Sequence, residues 1–164
     1  MTPARITWLV GPPGAGKTTY LVELRSRFRV VEFNEMLSPL VDPVRMRKGV
    51  RGANGMLVQV VRHLEGHPDN LHLGPIIVGT GIVFEDALFP LRAGEEVWLL
   101  LPPYDRWKEQ LHKRPLPMEG SNVYDDYAYA ASCYEQLAGW IDRGLPVRKL
   151  DLTFRPELIG VPTK

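Results

Sequence analysis

The chain has one cysteine, Cys133, so no disulfide can form within it and nothing in its folding calls for an oxidising compartment. Cys133 lies in a stretch of helical spacing rich in Ala and Tyr, where a small buried hydrophobe is favoured over a reactive thiol. Long apolar runs are absent too. No window approaches the roughly 18 residues of a membrane span, and the N-terminus lacks a basic segment followed by an apolar run. A cytoplasmic protein with no membrane partner is expected. Excess charge of one sign is also missing, with 20 Lys and Arg against 19 Asp and Glu and a formal net charge of +1. That balance excludes a body that grips duplex DNA through a strongly basic bulk field, and local patches must be judged separately. There is no internal repeat and no low-complexity segment. The 164 residues, 45% hydrophobic, suffice for one domain spanning 1–164 with a sizeable core.

Against these absences stands Gly11-Pro12-Pro13-Gly14-Ala15-Gly16-Lys17-Thr18-Thr19, which meets every fixed position of the phosphate-binding pattern G-x-x-x-x-G-K-[ST]. Ile6–Val10 before it reads as a short buried strand, and Thr18 to Phe28 after it has helical spacing, the setting the motif requires. Glycines let the backbone bend so that successive N–H groups converge on an anion at a helix N-terminus, where the macrodipole also favours phosphate. All nine residues are therefore assigned to nucleotide binding. Lys17 would neutralise the β- and γ-phosphates, and Thr18 would place its hydroxyl on the Mg²⁺ that bridges them.

Strand signals recur at Ile6–Val10, Arg29–Phe33, Pro75–Gly79, Val97–Leu101 and Val147–Leu150, with helical or loop-like stretches between them. The alternation predicts an α/β fold in three layers, a five-stranded parallel sheet covered by helices on both faces. The first, third and fourth strands are nearly continuous apolar runs, as central strands should be. Ligands of such sheets bind at the carboxyl ends of the strands, which directs attention to Asn34 and Glu35, to Gly79 through Gly81, and to the segment after Leu101.

Residues 38–54 carry prolines and glycines that argue against one long helix there. Four cations cluster in them: Arg45, Arg47, Lys48 and Arg51. They fit either a solvated face or, because the segment leaves the carboxyl end of the second strand, an anion-binding flap over an acceptor site. Met56, Leu57, Val60, Val61 and Leu64 mark a helix face expected in the core. His63 and His67 are four apart, but Gly66 and Pro68 interrupt the helix and no Glu or Cys stands beside them at ligand spacing, so no metal site is assigned. A short basic helix follows Leu101, with Arg106 and Lys113 on nearly one face and Arg114 about 80° away. Asn122 is a candidate N-cap for a last helix reaching about Arg143, with Val123, Tyr127, Ala130, Ala131, Tyr134, Leu137, Ala138 and Ile141 as its apolar stripe. The tyrosines in it are read as packing residues in preference to a base-stacking platform.

A phosphate loop alone does not separate a GTPase, a motor ATPase and a kinase. No Asn/Thr-Lys-x-Asp tetrapeptide that would read guanine occurs, and the third strand ends Ile76-Ile77-Val78-Gly79-Thr80 without the acidic residue of a motor ATPase. With the phosphate loop, the order of strands and the late basic helix, the chain resembles the P-loop kinases, a family that includes polynucleotide, gluconate, shikimate and nucleotide kinases. The resemblance covers most of the chain and implies a P-loop NTPase fold with an acceptor segment at about 38–54 and a short lid at about 104–121. It implies that an acidic residue after the second strand activates the acceptor hydroxyl or holds Mg²⁺. Asn34 stands at the usual aspartate position, so Glu35 is the candidate base. The family's Asp-x-Thr-Asn after the third strand is replaced by Gly79-Thr80-Gly81-Ile82, so a magnesium-directing carboxylate is missing or comes from elsewhere, Glu85 and Asp86 being candidates. Thr80 is placed in the acceptor site with Asn34, Arg45, Arg47, Lys48 and Arg51. The lid pattern Arg-x-x-x-Arg-Pro is matched by Arg114-Pro115, with Gln110 where the first arginine would be and Arg106 or Lys113 as substitutes.

The resemblance implies an ATP-dependent, Mg²⁺-requiring kinase that moves the γ-phosphate to a hydroxyl or phosphate acceptor. Lys17, Glu35, Arg106 and Arg114 are the candidate catalytic residues. The basic 45–51 cluster favours a nucleotide or nucleic-acid 5′-end as acceptor. A sugar or alcohol kinase, and a nucleotide-binding switch or ATPase with no acceptor, remain open alternatives. The sequence does not fix the acceptor, the preference for ATP over GTP, or the oligomeric state.

Overall fold

Strands that are apolar throughout cannot face water on either side, and here they occupy the middle of one parallel sheet. The strands β1 (Ile6–Val10), β2 (Arg29–Glu32), β3 (Ile76–Thr80), β4 (Glu95–Leu100) and β5 (Arg148–Leu150) lie in the order β2-β3-β1-β4-β5, every pair parallel. All five residues of β1 and of β3 are buried, as are the last four of β4, whereas β2 at the edge is half-buried. The sheet expected from the apolar runs is thus present, with the three apolar strands at its centre and their boundaries shifted by one or two residues. The computed structural model describes residues 4–12, 14–33, 43–80, 85–113 and 123–150.

Side chains alternate between the two faces. Ile6, Trp8 and Val10 of β1, Ile76 and Val78 of β3, and Val97 and Leu99 of β4 enter one core cluster. Leu9, Ile77, Trp98 and Leu100 enter the other. The helices are α1 (Lys17–Leu24), α2 (Pro43–Gly66), α3 (Glu85–Leu88), α4 (Tyr104–Lys113) and α5 (Val123–Asp142), with a 3₁₀ turn at Pro68–Leu73. Leu21 and Leu24 of α1 and Trp107 and Leu111 of α4 cover the second face, while Val58 and Val61 of α2, Leu88 of α3, and Leu137 and Trp140 of α5 cover the first. Helices therefore lie on both faces. Cys133 is buried and free, a small hydrophobe in α5 as expected. Tyr134 of α5 stacks on Trp107 with centroids 4.6 Å apart and donates its hydroxyl to the Pro102 carbonyl at 2.5 Å. Burial, reinforced by neighbouring Tyr104, raises the pKa of that hydroxyl above its ordinary value and keeps it protonated. Among the described residues no helix is long and apolar enough to cross a membrane.

Two sequence expectations about α2 fail for identifiable reasons. One helix of 24 residues replaces the expected break within 38–54. Pro43 is its first residue, where a missing N–H costs nothing, and Gly55 is a close-packing point at which a Cβ would stand 3.4 Å from that of Ala87. The face expected in the core is also turned: Met56, Val60 and Leu64 are exposed, at 73%, 44% and 49%. Val61 is buried and Leu57 packs against the core as expected, and Val58, Arg62 and Glu65 complete the buried face.

The buried charges on α2 explain that rotation. Arg62 forms a two-pronged pair with Glu95, Nε to Oε2 at 2.9 Å and Nη2 to Oε1 at 2.8 Å. It also donates to the Leu88 carbonyl at 2.7 Å, and Trp8 Nε1 donates to Glu95 Oε1 at 3.0 Å. Glu65 pairs with Arg29 and Arg5, at 2.5 and 3.1 Å. Glu95 and Arg29 are the first residues of β4 and β2, so the last turns of α2 are fastened to the amino edge of the sheet. A fully hydrogen-bonded buried pair fixes one orientation of a helix where an apolar stripe alone would allow several.

Candidate phosphate-binding site

The loop that follows β1 emerges at the point where the sheet order reverses, between β3 and β4, the place at which open parallel sheets bind ligands. Val10 is level with Thr80 on one side and Leu99 on the other, so the carboxyl ends of the three central strands form one edge. Gly11 donates its N–H to the Thr80 carbonyl at 3.4 Å, and a Cβ on it would stand 3.0 Å from the Leu100 carbonyl oxygen. Only a residue without a side chain lets the backbone pass there.

Past Gly11 the chain makes a tight turn, with Ala15 N–H bonded to the Pro12 carbonyl at 3.2 Å. Gly14 and Gly16 have φ of 83° and 92°, conformations that favour glycine, and their reversals are what curl a loop around an anion. Gly16 is the N-cap of α1 and supplies no side-chain cap, and the first turn carries no acidic residue. The leading amides of α1 thus keep their positive potential at the edge of the sheet. Lys17 is half-buried and donates from Nζ to the Gly11 carbonyl at 3.4 Å, which lays its ammonium back across the loop. Thr18 is the second residue of α1 and Thr19 is exposed on it; Pro12 is buried, and Pro13 lies outside the described residues.

Beside the loop, β3 ends in Gly79 and Thr80. A Cβ on Gly79 would approach Leu21 Cδ1 to 2.5 Å, so α1 packs directly on this strand and a carboxylate-bearing residue has no room at position 79. Thr80 is 2% exposed, and its Oγ1 is buried without a hydrogen-bond partner in the protein. A buried orphan hydroxyl is uncommon in a folded protein and is most often found where a ligand, ion or water completes it.

Other candidate residues are distributed unevenly. Asn34, Glu35 and Arg114 lie outside the described residues. Arg45, Arg47, Lys48 and Arg51 all fall in the first half of α2. That helix starts after the carboxyl end of β2 and is fastened at the amino edge through Arg62 and Glu65, so it runs back along the sheet. The eleven steps from Arg62 to Arg51 rise about 16 Å, comparable with the length of a five-residue strand, about 13 Å. Arg106 is exposed on α4, about 100° around the axis from Trp107 and 140° from Leu111, the two residues by which α4 packs inward. Glu85 pairs with Arg143 at the other end of α5, and Asp86 is exposed. His67 accepts from Asp69 N–H at 3.1 Å and caps the 3₁₀ turn, and no group of three or more His, Cys, Asp or Glu that would hold a metal occurs among the described residues.

This fold recurs in solved structures to which the chain is similar. A shikimate kinase from Bacteroides thetaiotaomicron superposes with a TM-score of 0.63 at 15% identity, over 92% of this chain and 89% of its own. A shikimate kinase from Aquifex aeolicus vf5 gives 0.61 at 15% identity, over 94% and 90%. A gluconokinase from Sinorhizobium meliloti 1021 gives 0.57 at 12% identity, over 95% and 87%. No protein-family model and no curated protein sequence matches the chain. The chain has the P-loop kinase fold, an α/β architecture in which its loop at Gly11–Thr19 occupies the carboxyl edge of a five-stranded parallel sheet.

Proposed function

We propose that this protein is an ATP-dependent phosphotransferase that moves the γ-phosphate of a nucleotide to an acceptor oxygen. The observation that carries this reading is the pair of positive-φ glycines leading into an uncapped helix N-terminus beside Lys17, between the ends of β3 and β4. Backbone amides from Gly14 to Lys17 would hold the β- and γ-phosphates, and Lys17 would leave the Gly11 carbonyl to neutralise them. Mg²⁺ needs few protein ligands because it keeps waters and substrate oxygens, so the hydroxyls of Thr18 and, through water, Thr80 fit it without a carboxylate cage. When bound, the ion would draw charge from the bridging phosphate oxygens.

In the transfer, the bond between the γ-phosphorus and the bridging oxygen breaks, ADP leaves, and the acceptor oxygen bonds to phosphorus while its proton passes to a base. Glu35 is the proposed base, and Arg114 the proposed cation on the transferring group, with Arg106 as second choice because α4 turns it away from the side that packs inward. The reaction is largely positioning and electrostatics, which is why a preformed cradle matters more than covalent chemistry.

The cationic start of α2 supports an anionic acceptor such as a nucleotide or a nucleic-acid 5′-end. A small sugar or alcohol acceptor accords equally with the similar structures. A nucleotide switch with no acceptor is favoured by one observation, the end of β3 in Gly79 and Thr80 where a carboxylate has no room. Measuring ATP consumption with and without a panel of nucleosides, nucleotides, sugars and oligonucleotides decides among these. Stimulation by one class identifies the acceptor, and slow hydrolysis indifferent to every addition refutes the kinase. With the acceptor known, reversing Arg45, Arg47, Lys48 and Arg51 together to Glu should raise its KM about tenfold or more while that for ATP changes little. Equal effects on both substrates would refute an anion-binding role for α2.

A further inference from the structure

Leu111 sits against Gly14 of the phosphate loop from outside. A Cβ built on Gly14 would meet Leu111 Cδ1 at 3.0 Å, its Cα at 3.1 Å and its Cβ at 3.2 Å, and these are the three nearest atoms. Leu111 is 6% exposed, in the last turn of α4. Ala15, the next residue of the loop, is buried in the same cluster as Leu111, Trp107, Leu21 and Leu24. Gly14 is thus constrained twice, by a φ of 83° and by a leucine seated directly on its Cα. Gly16 makes no such contact, having nothing within 4 Å of its would-be Cβ. One of the two glycines that curl the loop is braced by α4 and the other is not.

We propose that Leu111 is a positioning residue for nucleotide phosphates: pressing on Gly14, it holds the amides of the loop at the spacing that phosphate oxygens require. This rests on the reading of Gly11–Thr19 as a triphosphate cradle and needs no assumption about the acceptor. Hydrogen bonds to an oxyanion weaken steeply with distance and angle, so a loop that relaxes toward a hole left at Leu111 loses phosphate affinity without losing any ligand-contacting group. Trp107, one turn earlier on the same face, provides the comparison. It is equally buried and packs on the rings of Tyr104 and Tyr134, at 5.6 and 4.6 Å, whereas Leu111 supplies the three atoms nearest to Gly14.

The test compares Leu111→Ala, Leu111→Val, Leu111→Met and Trp107→Phe in the full chain. It measures Kd for ATP and for inorganic tripolyphosphate by calorimetry, and Tm by scanning calorimetry. Leu111→Ala should weaken both ligands about tenfold, and Leu111→Val, which retains more of the packing, about threefold, whereas Leu111→Met, which fills the volume, should restore wild-type affinity. Trp107→Phe should lower Tm and leave both Kd values unchanged. A Leu111 series that lowers Tm with no change in Kd, or a Trp107→Phe loss of affinity matching that of Leu111→Ala at equal loss of Tm, overturns the proposal. Wild-type binding of ATP and tripolyphosphate with no transfer to any acceptor would sink the kinase reading and leave the role of Leu111 standing. A wild-type chain that binds neither ligand refutes both.

Discussion

The two edges of the sheet are built on opposite principles. At the amino edge, charges are paired: Arg62, Glu95 and Trp8 form one hydrogen-bonded group, and Arg5, Arg29 and Glu65 form another, in which Arg29 Nε is left over. At the carboxyl edge, glycines adopt left-handed conformations, a helix begins without a cap, and the Thr80 hydroxyl has no partner. One edge gathers polar contacts to hold the helices in place, and the other keeps polar groups uncommitted. Local departures from self-sufficiency concentrate where a ligand is to supply the missing partner.

The comparison breaks if changes at the amino edge alter binding, or changes at the carboxyl edge mainly alter stability. The largest expected effect is at the amino edge. Arg62→Ala leaves the carboxylate of Glu95 buried at 3% exposure without its countercharge, and should cost about 3–5 kcal/mol in denaturant unfolding. The KM for ATP of the folded fraction should not change, since the residue sits at the far end of the strands from the loop. Replacing both partners by apolar residues, Arg62→Met with Glu95→Leu, should recover much of that loss, because no charge is then stranded. A double variant as unstable as the single one would show that the hydrogen bonds to Leu88 and Trp8 matter more than the pair.

Next in size is Lys17→Ala. Removing a cation aimed at developing charge should lower transfer about 10²- to 10³-fold, a loss to be compared with any change in thermal unfolding. Unchanged turnover would end the phosphotransferase reading.

How far the sequence reveals this division differs between the edges. The turns of the loop at Gly14 and Gly16 are legible because backbone geometry and residue type are tied there: φ of 83° and 92° favours glycine, and a lysine after the second is a local pattern. The sheet was legible because Ile6–Val10, Ile76–Thr80 and Val97–Leu100 are apolar enough to need cover on both faces. The amino edge was not legible, since Arg62 and Glu65 look like surface residues until their partners, 33 and 36 positions away, are brought beside them. The same distance effect misassigned the core face of α2, where Met56, Val60 and Leu64 have helical spacing but the ion pairs turn them outward. Leu111 escaped notice for a related reason. Its i, i+4 relation to Trp107 predicts an inward face, but only the fold shows that this face meets Gly14.

A smaller effect is expected at Gly79. Its replacement by alanine would drive a methyl to 2.5 Å from Leu21 Cδ1, and the fully buried Leu21 must shift. Overpacking of this kind costs about 1–3 kcal/mol, measurable as a drop in unfolding midpoint. Because α1 carries Lys17 and Thr18 at its start, the shift should also raise the Kd for ATP. A loss of stability with no change in Kd would mean that the start of α1 is held by the loop alone.

The smallest effect on stability, and the sharpest separation of stability from activity, is expected at Thr80. Valine has the shape of threonine without the hydroxyl, and position 80 is buried in a strand, where a β-branched residue is well suited. Since Oγ1 bonds to nothing in the protein, Thr80→Val removes an unsatisfied polar atom and should leave unfolding unchanged or raise stability by up to about 1 kcal/mol. If the hydroxyl serves bound phosphate or the water around Mg²⁺, the same substitution should lower turnover, with Thr80→Ser retaining most of it. A more stable variant with full activity would show Thr80 to be a packing residue. A less stable one would mean that a structural water completes the hydroxyl, and the carboxyl edge would then be less uncommitted than its geometry indicates.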